Sequence, residues 1–154
     1  MRQTFALIVA AIFGLSACAQ RISEEDSGGI EAMRWRATLA ATPSGGGIAG
    51  SLMVEPAQNP TLTSARMMLT NGAPNATYPW HIHAGLCGTG GGIVGPPDAY
   101  RPLTTGASGN AEATVTLPFS TPTVGTFSVN IHRSPTEMGD IVACGNLTHG
   151  SVSP

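Results

Sequence analysis

Beyond position 33, apolar residues alternate with polar ones over short runs, and clusters of Gly, Pro, Asn and Ser separate the runs. That is the period of a β-strand, whose successive side chains take opposite faces. Residues 34–42 form the first run and stop at Pro43-Ser44-Gly45-Gly46-Gly47. Residues 48–54 form the second, broken by the Pro56 to Pro60 segment. Residues 62–69 follow and close on Asn71-Gly72, a dipeptide that favours a hairpin. Residues 77–84 read TYPWHIHA as one strand, and 85–105 as a long Gly- and Pro-rich loop with a short strand near Ile93. Residues 111–117, 125–132 and 140–147 complete the series. No helical periodicity competes with these runs. Seven or eight short antiparallel strands predict an all-β domain, and a Greek-key sandwich or flattened barrel closes such a set of strands.

The chain begins differently. Behind Arg2, residues 5–14 are continuously apolar. A bilayer-spanning helix needs about 20 such residues, so this run fits the hydrophobic region of a secretory signal instead. It ends in Leu15-Ser16-Ala17-Cys18, which resembles the bacterial lipobox. That resemblance implies a signal peptide over 1–17, cleavage before Cys18, and diacylglycerol on its thiol. The plainer alternative is a short buried helix with an incidental cysteine. On the lipoprotein reading, 18–33 is a lipidated N-terminus and flexible tether, 34–149 the β domain, and 150–154 a tail. The protein is then exported and anchored to a bacterial membrane, facing the periplasm or the cell exterior.

Charge narrows the partners. There are seven Arg, no Lys and nine acids, for a net charge of −2. Residues 18–33 hold Arg21 against Glu24, Glu25, Asp26 and Glu31, whereas 34–154 balance at five of each sign. Nothing resembles a basic nucleic-acid surface, and net charge gives no long-range attraction for an anion. Cysteine usage fits export. If Cys18 carries lipid, Cys87 and Cys144 are left to pair in an oxidising compartment. Such a bridge would pin the loop after HIH to the last strand. Two free thiols, or a mixed Cys/His zinc site, are the alternatives.

The residues that can carry chemistry are histidines. His81 and His83 flank Ile82, so in a strand both imidazoles share one face and Ile82 takes the other. Rings at that spacing can converge on one metal. HIH alone is common on protein surfaces, but His132 ends a third run, FSVNIH, and would complete a three-imidazole set if the two strands are neighbours. Imidazole suits copper, zinc, nickel and iron, and copper is the candidate in an oxidising compartment. His149 and Met138 are candidates for a fourth ligand, against the plainer reading that both are incidental. No GxSxG elbow supports a hydrolase. No Gly-rich phosphate motif precedes a helix, and residues 88–92 read as a flexible loop.

Taken in order, these pieces resemble one family. Trp80-His81-Ile82-His83-Ala84-Gly85-Leu86-Cys87 is similar to the copper-binding strand and first disulfide cysteine of Cu/Zn superoxide dismutases. Val129-Asn130-Ile131-His132 resembles that family's later copper-ligand strand, and Ala143-Cys144-Gly145 its second disulfide motif. The resemblance implies an eight-stranded antiparallel Greek-key barrel. It also implies one copper ion on His81, His83 and His132, a Cys87–Cys144 disulfide, and superoxide as a substrate.

The departures bear on activity. The family's copper–zinc bridging histidine and its zinc ligands have no counterpart between Cys87 and Thr105, where Asp98 is the one acid, so zinc is not expected. The anion-guiding arginine, three residues before the second cysteine in that family, is Ile141 here, with Arg101 and Arg133 as conceivable stand-ins. The expectation is therefore a copper-only dismutase of weak or lost activity. Val129-Asn130-Ile131-His132 followed by Met138-Gly139-Asp140 also resembles the end of CHRD domains. That leaves non-catalytic copper binding, or a metal-free structural or binding module, as the alternatives.

Overall fold

The computed structural model describes residues 33–150. The expected signal peptide, Cys18, the expected tether before Met33 and residues 151–154 lie outside the described residues.

The first three runs form an antiparallel meander, β1 (Trp35–Ala41), β2 (Ala49–Pro56) and β3 (Thr63–Thr70). Their alternation sends Trp35, Ala37 and Leu39 inward with Leu52, Val54, Ala65, Met67 and Leu69. Arg36, Thr38 and Arg66 take the opposite face. Gly46 and Gly47, at φ 61° and 93°, supply the left-handed turn between β1 and β2. On the far side of β3 lies β7 (Ala111–Leu117). On the far side of β1 lie β9 (Ile141–His149), β8 (Phe127–His132) and β5 (Trp80–Ala84), in that order. All seven strands are antiparallel to their neighbours and curl into a half-barrel around one apolar core, with β5 and β7 as its edges.

The barrel differs from the eight-strand expectation in two places, both for local reasons. The 77–84 run is two strands, because Pro79 cannot donate to a ladder. Before it, β4 (Thr77–Tyr78) pairs with β6 (Leu103–Thr104) as a separate two-stranded sheet. After it, β5 pairs with β8. Asn71-Gly72 makes a turn, with Asn71 at φ 60°, but not a hairpin. Both flanks of β3 are taken by β2 and β7, so the chain leaves the sheet for β4. Gly72 packs there too closely for a side chain, against Leu69, Tyr78 and Thr105.

Two strands break the inward–outward rule. All of β8 after Phe127, and the first three residues of β5, are buried on both faces. Ile82, Val129 and Ile131 point into the barrel. The opposite face of these strands is covered by the long loop between β5 and β6. Val94 N–H donates to Ile82 O at 2.9 Å, Ala84 N–H to Gly92 O at 2.9 Å, and Ile93 bridges His83. The short strand expected near Ile93 is this single bridge. A disulfide joins Cys87 in the loop to Cys144 on β9. His81, Ser128, Asn130 and His132 are thus buried between sheet and loop, and His83 half-buried, in an otherwise solvent-facing position.

Candidate metal centre

Three histidines, His81, His83 and His132, lie among these side chains. Alternation puts His81 and His83 on the outer face of β5, and the β5–β8 register sets His81 opposite Asn130 and His83 opposite Ser128. His132 ends β8, where the β8–β9 register shifts between Ile131 and His132. The shift leaves Val142 as an extra residue on β9, and such irregularities re-aim side chains. One potential ligand atom from each of the three histidines lies within 4.8 Å of the others. This is the one grouping of His, Cys, Asp and Glu able to hold a metal among the described residues.

Hydrogen bonds decide which nitrogens are available. His83 Nδ1 lies 2.8 Å from Gly91 O, and a carbonyl can only accept, so Nδ1 carries the proton. His83 Nε2 is then a lone pair, buried and without a partner. His81 Nδ1 lies 3.2 Å from His132 Nε2. The Pro97 backbone lies close enough to the His81 ring to favour its protonated form, and Tyr100 packs edge-on to it, with centroids 5.3 Å apart. His132 Nδ1 is buried without a hydrogen bond, with the Met138 backbone close enough to favour the protonated ring. A backbone carbonyl behind a ligating imidazole fixes the tautomer that points a lone pair at the metal. Nitrogens bound at about 2.0 Å to one tetrahedral ion lie about 3.3 Å apart, close to the His81–His132 separation. The residues present therefore fit a metal ion.

The electrostatics agree. Burial, then the His132 and His83 rings, lower the His81 pKa from 6.5 to about 4, against the pull of the Pro97 backbone. Burial also lowers that of His132, with the Met138 backbone opposing. Both rings are held neutral, as ligands must be. A pH dependence follows. The unfolded chain takes up a proton at this residue near pH 6.5, whereas folded His81 resists to about pH 4. Between those values the unfolded state binds more protons, so lowering pH favours unfolding. Metal-free protein is expected to keep its full stability above about pH 6.5 and to lose up to about 3 kcal/mol towards pH 4 through His81. Urea unfolding across that range checks this, and His81→Gln should flatten the slope.

The sequence reading missed the loop's part in the site. Residues 88–92 read as a flexible loop, but a β-carbon on Gly91 would stand 1.6 Å from Ala84 O. Only glycine lets the loop approach closely enough to put a carbonyl on His83. Gly91→Ala is expected to lift the loop and weaken metal binding about 10–100-fold, the usual cost of losing a partner behind a ligating histidine. Gly92→Ala is the control, because a β-carbon there meets nothing within 4 Å. A chelator-competition titration compares the two.

Other candidates lie elsewhere. His149 is not in the cluster; it stacks on Trp35 at 3.6 Å, at the far end of β9. Met138 contributes its backbone near His132, and the residue is 37% exposed. Arg133 is not a free anion guide. It pairs with Asp140 and donates to Ser44 O at 2.8 Å, while Ser44 Oγ donates to Asp140 Oδ1 at 2.7 Å. That network, with Ser44 first and Arg133 second, holds the Asp140 carboxyl below its usual pKa. It staples the loop after His132 to the β1–β2 turn. Arg101 is exposed, and its carbonyl accepts from Trp80 Nε1 at 2.8 Å. Asp98 lies in a short 3-10 turn (Pro97–Ala99), outside the cluster.

No protein-family model matches the chain, and no curated protein matches its sequence. Solved structures do match. One is the crystal structure of a double mutant of a SOD-like protein from Bacillus subtilis, at 15% identity and a TM-score of 0.55. The match covers 72% of this chain and 95% of that one. At that identity the likeness speaks for the fold. The chain has the SOD-like antiparallel β fold, with three histidines gathered on the outer face of β5 and β8.

Proposed function

We propose that this is a lipid-anchored cell-envelope protein that holds one copper ion on His81, His83 and His132, principally to bind the metal rather than to turn over a substrate. The observation that carries the reading is the set of ring nitrogens. Imidazole atoms from three residues converge within 4.8 Å, and His83 Nε2 is a buried lone pair with no hydrogen bond. Unsatisfied buried atoms are rare in native proteins and call for an ion or a water. Copper, when bound, supplies one-electron redox chemistry. The chain's own residues bind it, orient the rings through Gly91 and Pro97, and exclude water through the loop. Holding rather than turnover is favoured by access at two of the three rings, since His81 and His132 are each 6% exposed while His83 is half-buried, and by Arg133 being engaged with Asp140.

Slow superoxide dismutation is the second reading, favoured by three histidines on a SOD-like barrel. Copper-loaded protein and its His132→Ala variant separate the two. Tight copper binding with superoxide consumption no faster than the variant selects holding; a clear difference selects the dismutase. Failure to bind copper at all would sink both and leave a metal-free, CHRD-like module. For the anchor, Cys18→Ser should move the protein from the membrane fraction to the soluble one.

A further inference from the structure

Among the described residues, three buried side-chain polar atoms make no hydrogen bond: His83 Nε2, His132 Nδ1 and Asn130 Oδ1. The first two belong to the proposed ligands. The third is unexplained by them. Asn130 is 8% exposed. It stands directly opposite His81 on one side and Cys144 on the other, two residues before His132 on the same strand. Residues two apart share a face, and β-carbons of cross-strand partners lie about 4.5–5.5 Å apart. The carboxamide therefore rises from the sheet beside His81 and His132, under the loop. Its neighbours Val129 and Ile131 face the core and are apolar, so the polar residue belongs to the histidine face. A buried amide oxygen without a donor is costly, and an apolar side chain of the same size would avoid that cost.

The geometry points to Asn130 Oδ1 as the fourth donor of the metal centre, beside the three imidazoles. The assignment rests on the reading of His81, His83 and His132 as ligands. It deepens that reading, because a site with four protein donors is closed in the manner of structural sites, whereas catalytic sites keep a position open. An amide oxygen is also a hard donor and favours Cu(II) or Zn(II) over Cu(I).

Asn130→Leu tests it in the full-length protein. Three readouts are needed: chelator competition with Cu(II) and with Cu(I), the Cu(II) EPR spectrum, and urea unfolding without metal. The expected result is Cu(II) affinity lower by about 10–100-fold, with Cu(I) affinity changed by less than about threefold. The EPR parameters should shift, and the metal-free form should be at least as stable as the parent. Asn130→Asp, which keeps the size and adds charge, should bind Cu(II) more tightly than the parent, and stands in if leucine prevents folding. Unchanged Cu(II) affinity and spectrum in Asn130→Leu overturn the assignment alone. So does a loss of metal-free stability with no change in affinity, which marks a structural role. A parent that takes up no copper overturns the ligand reading and this assignment with it.

Discussion

Breaking the Cys87–Cys144 bridge is expected to lower the unfolding free energy by about 2–4 kcal/mol and to weaken metal binding as well. The two cysteines are 57 residues apart in sequence, and the chain-entropy model puts about 4 kcal/mol on closing a loop of that length. The second effect comes from where the bridge sits. It fastens the loop that covers the histidines to β9, next to Asn130, and Cys87 N–H donates to Asn146 Oδ1 at 2.7 Å beside it. Without the bridge, the Gly91 carbonyl and the Pro97 backbone are held over their rings by few backbone bonds. Metal affinity should then fall by about tenfold or more. Urea unfolding with and without reductant measures the first effect, and Cu(II) competition on the parent and on the Cys87→Ser/Cys144→Ser double variant, both without reductant, measures the second. The Cys87→Ser/Cys144→Ser double variant should match the reduced parent and ignore the reductant. Equal stability of parent and double variant would contradict the role given to the bridge.

His132→Ala is expected to lower copper affinity by at least about 100-fold, more than any change behind the ligands, because it removes a donor outright. The thermal shift is the simplest readout. A ligand at 100 times its dissociation constant stabilises by about 2.7 kcal/mol, or about 10 °C in a domain of this size. The variant should lose nearly all of that shift. His149→Ala should keep it, since His149 packs on Trp35 away from the cluster. Retention of the full shift in His132→Ala would mean that copper binds elsewhere.

The strand pattern and the histidine face were legible because both rest on local alternation. His81, Ile82 and His83 needed only the period of two to be sorted, and the structure sorts them so. The partnering of β5 with β8 was a conditional inference at the sequence level, because register between strands far apart in sequence depends on the whole sheet. The split at Pro79 had a visible cause in the missing N–H. The destination of the chain after Asn71-Gly72 did not, since it is set by β7 arriving later to occupy the flank of β3. The loop carbonyls were invisible because any residue has one; their placement depends on a close approach that only the structure reveals at Gly91. Arg133 looked available because its partner Asp140 and the Ser44 carbonyl come from other turns. Asn130 did leave a signal, being polar in step with His132 within an apolar run, and that step is what places it at the metal centre.

The most direct measurement is the metal content of the folded protein purified from the cells that make it. About one copper ion per chain is expected in the parent, with little or none in His132→Ala and a rise in melting temperature when Cu(II) is restored to stripped parent. No copper above background in the parent, together with no thermal shift on adding Cu(II), would contradict the three-histidine copper site.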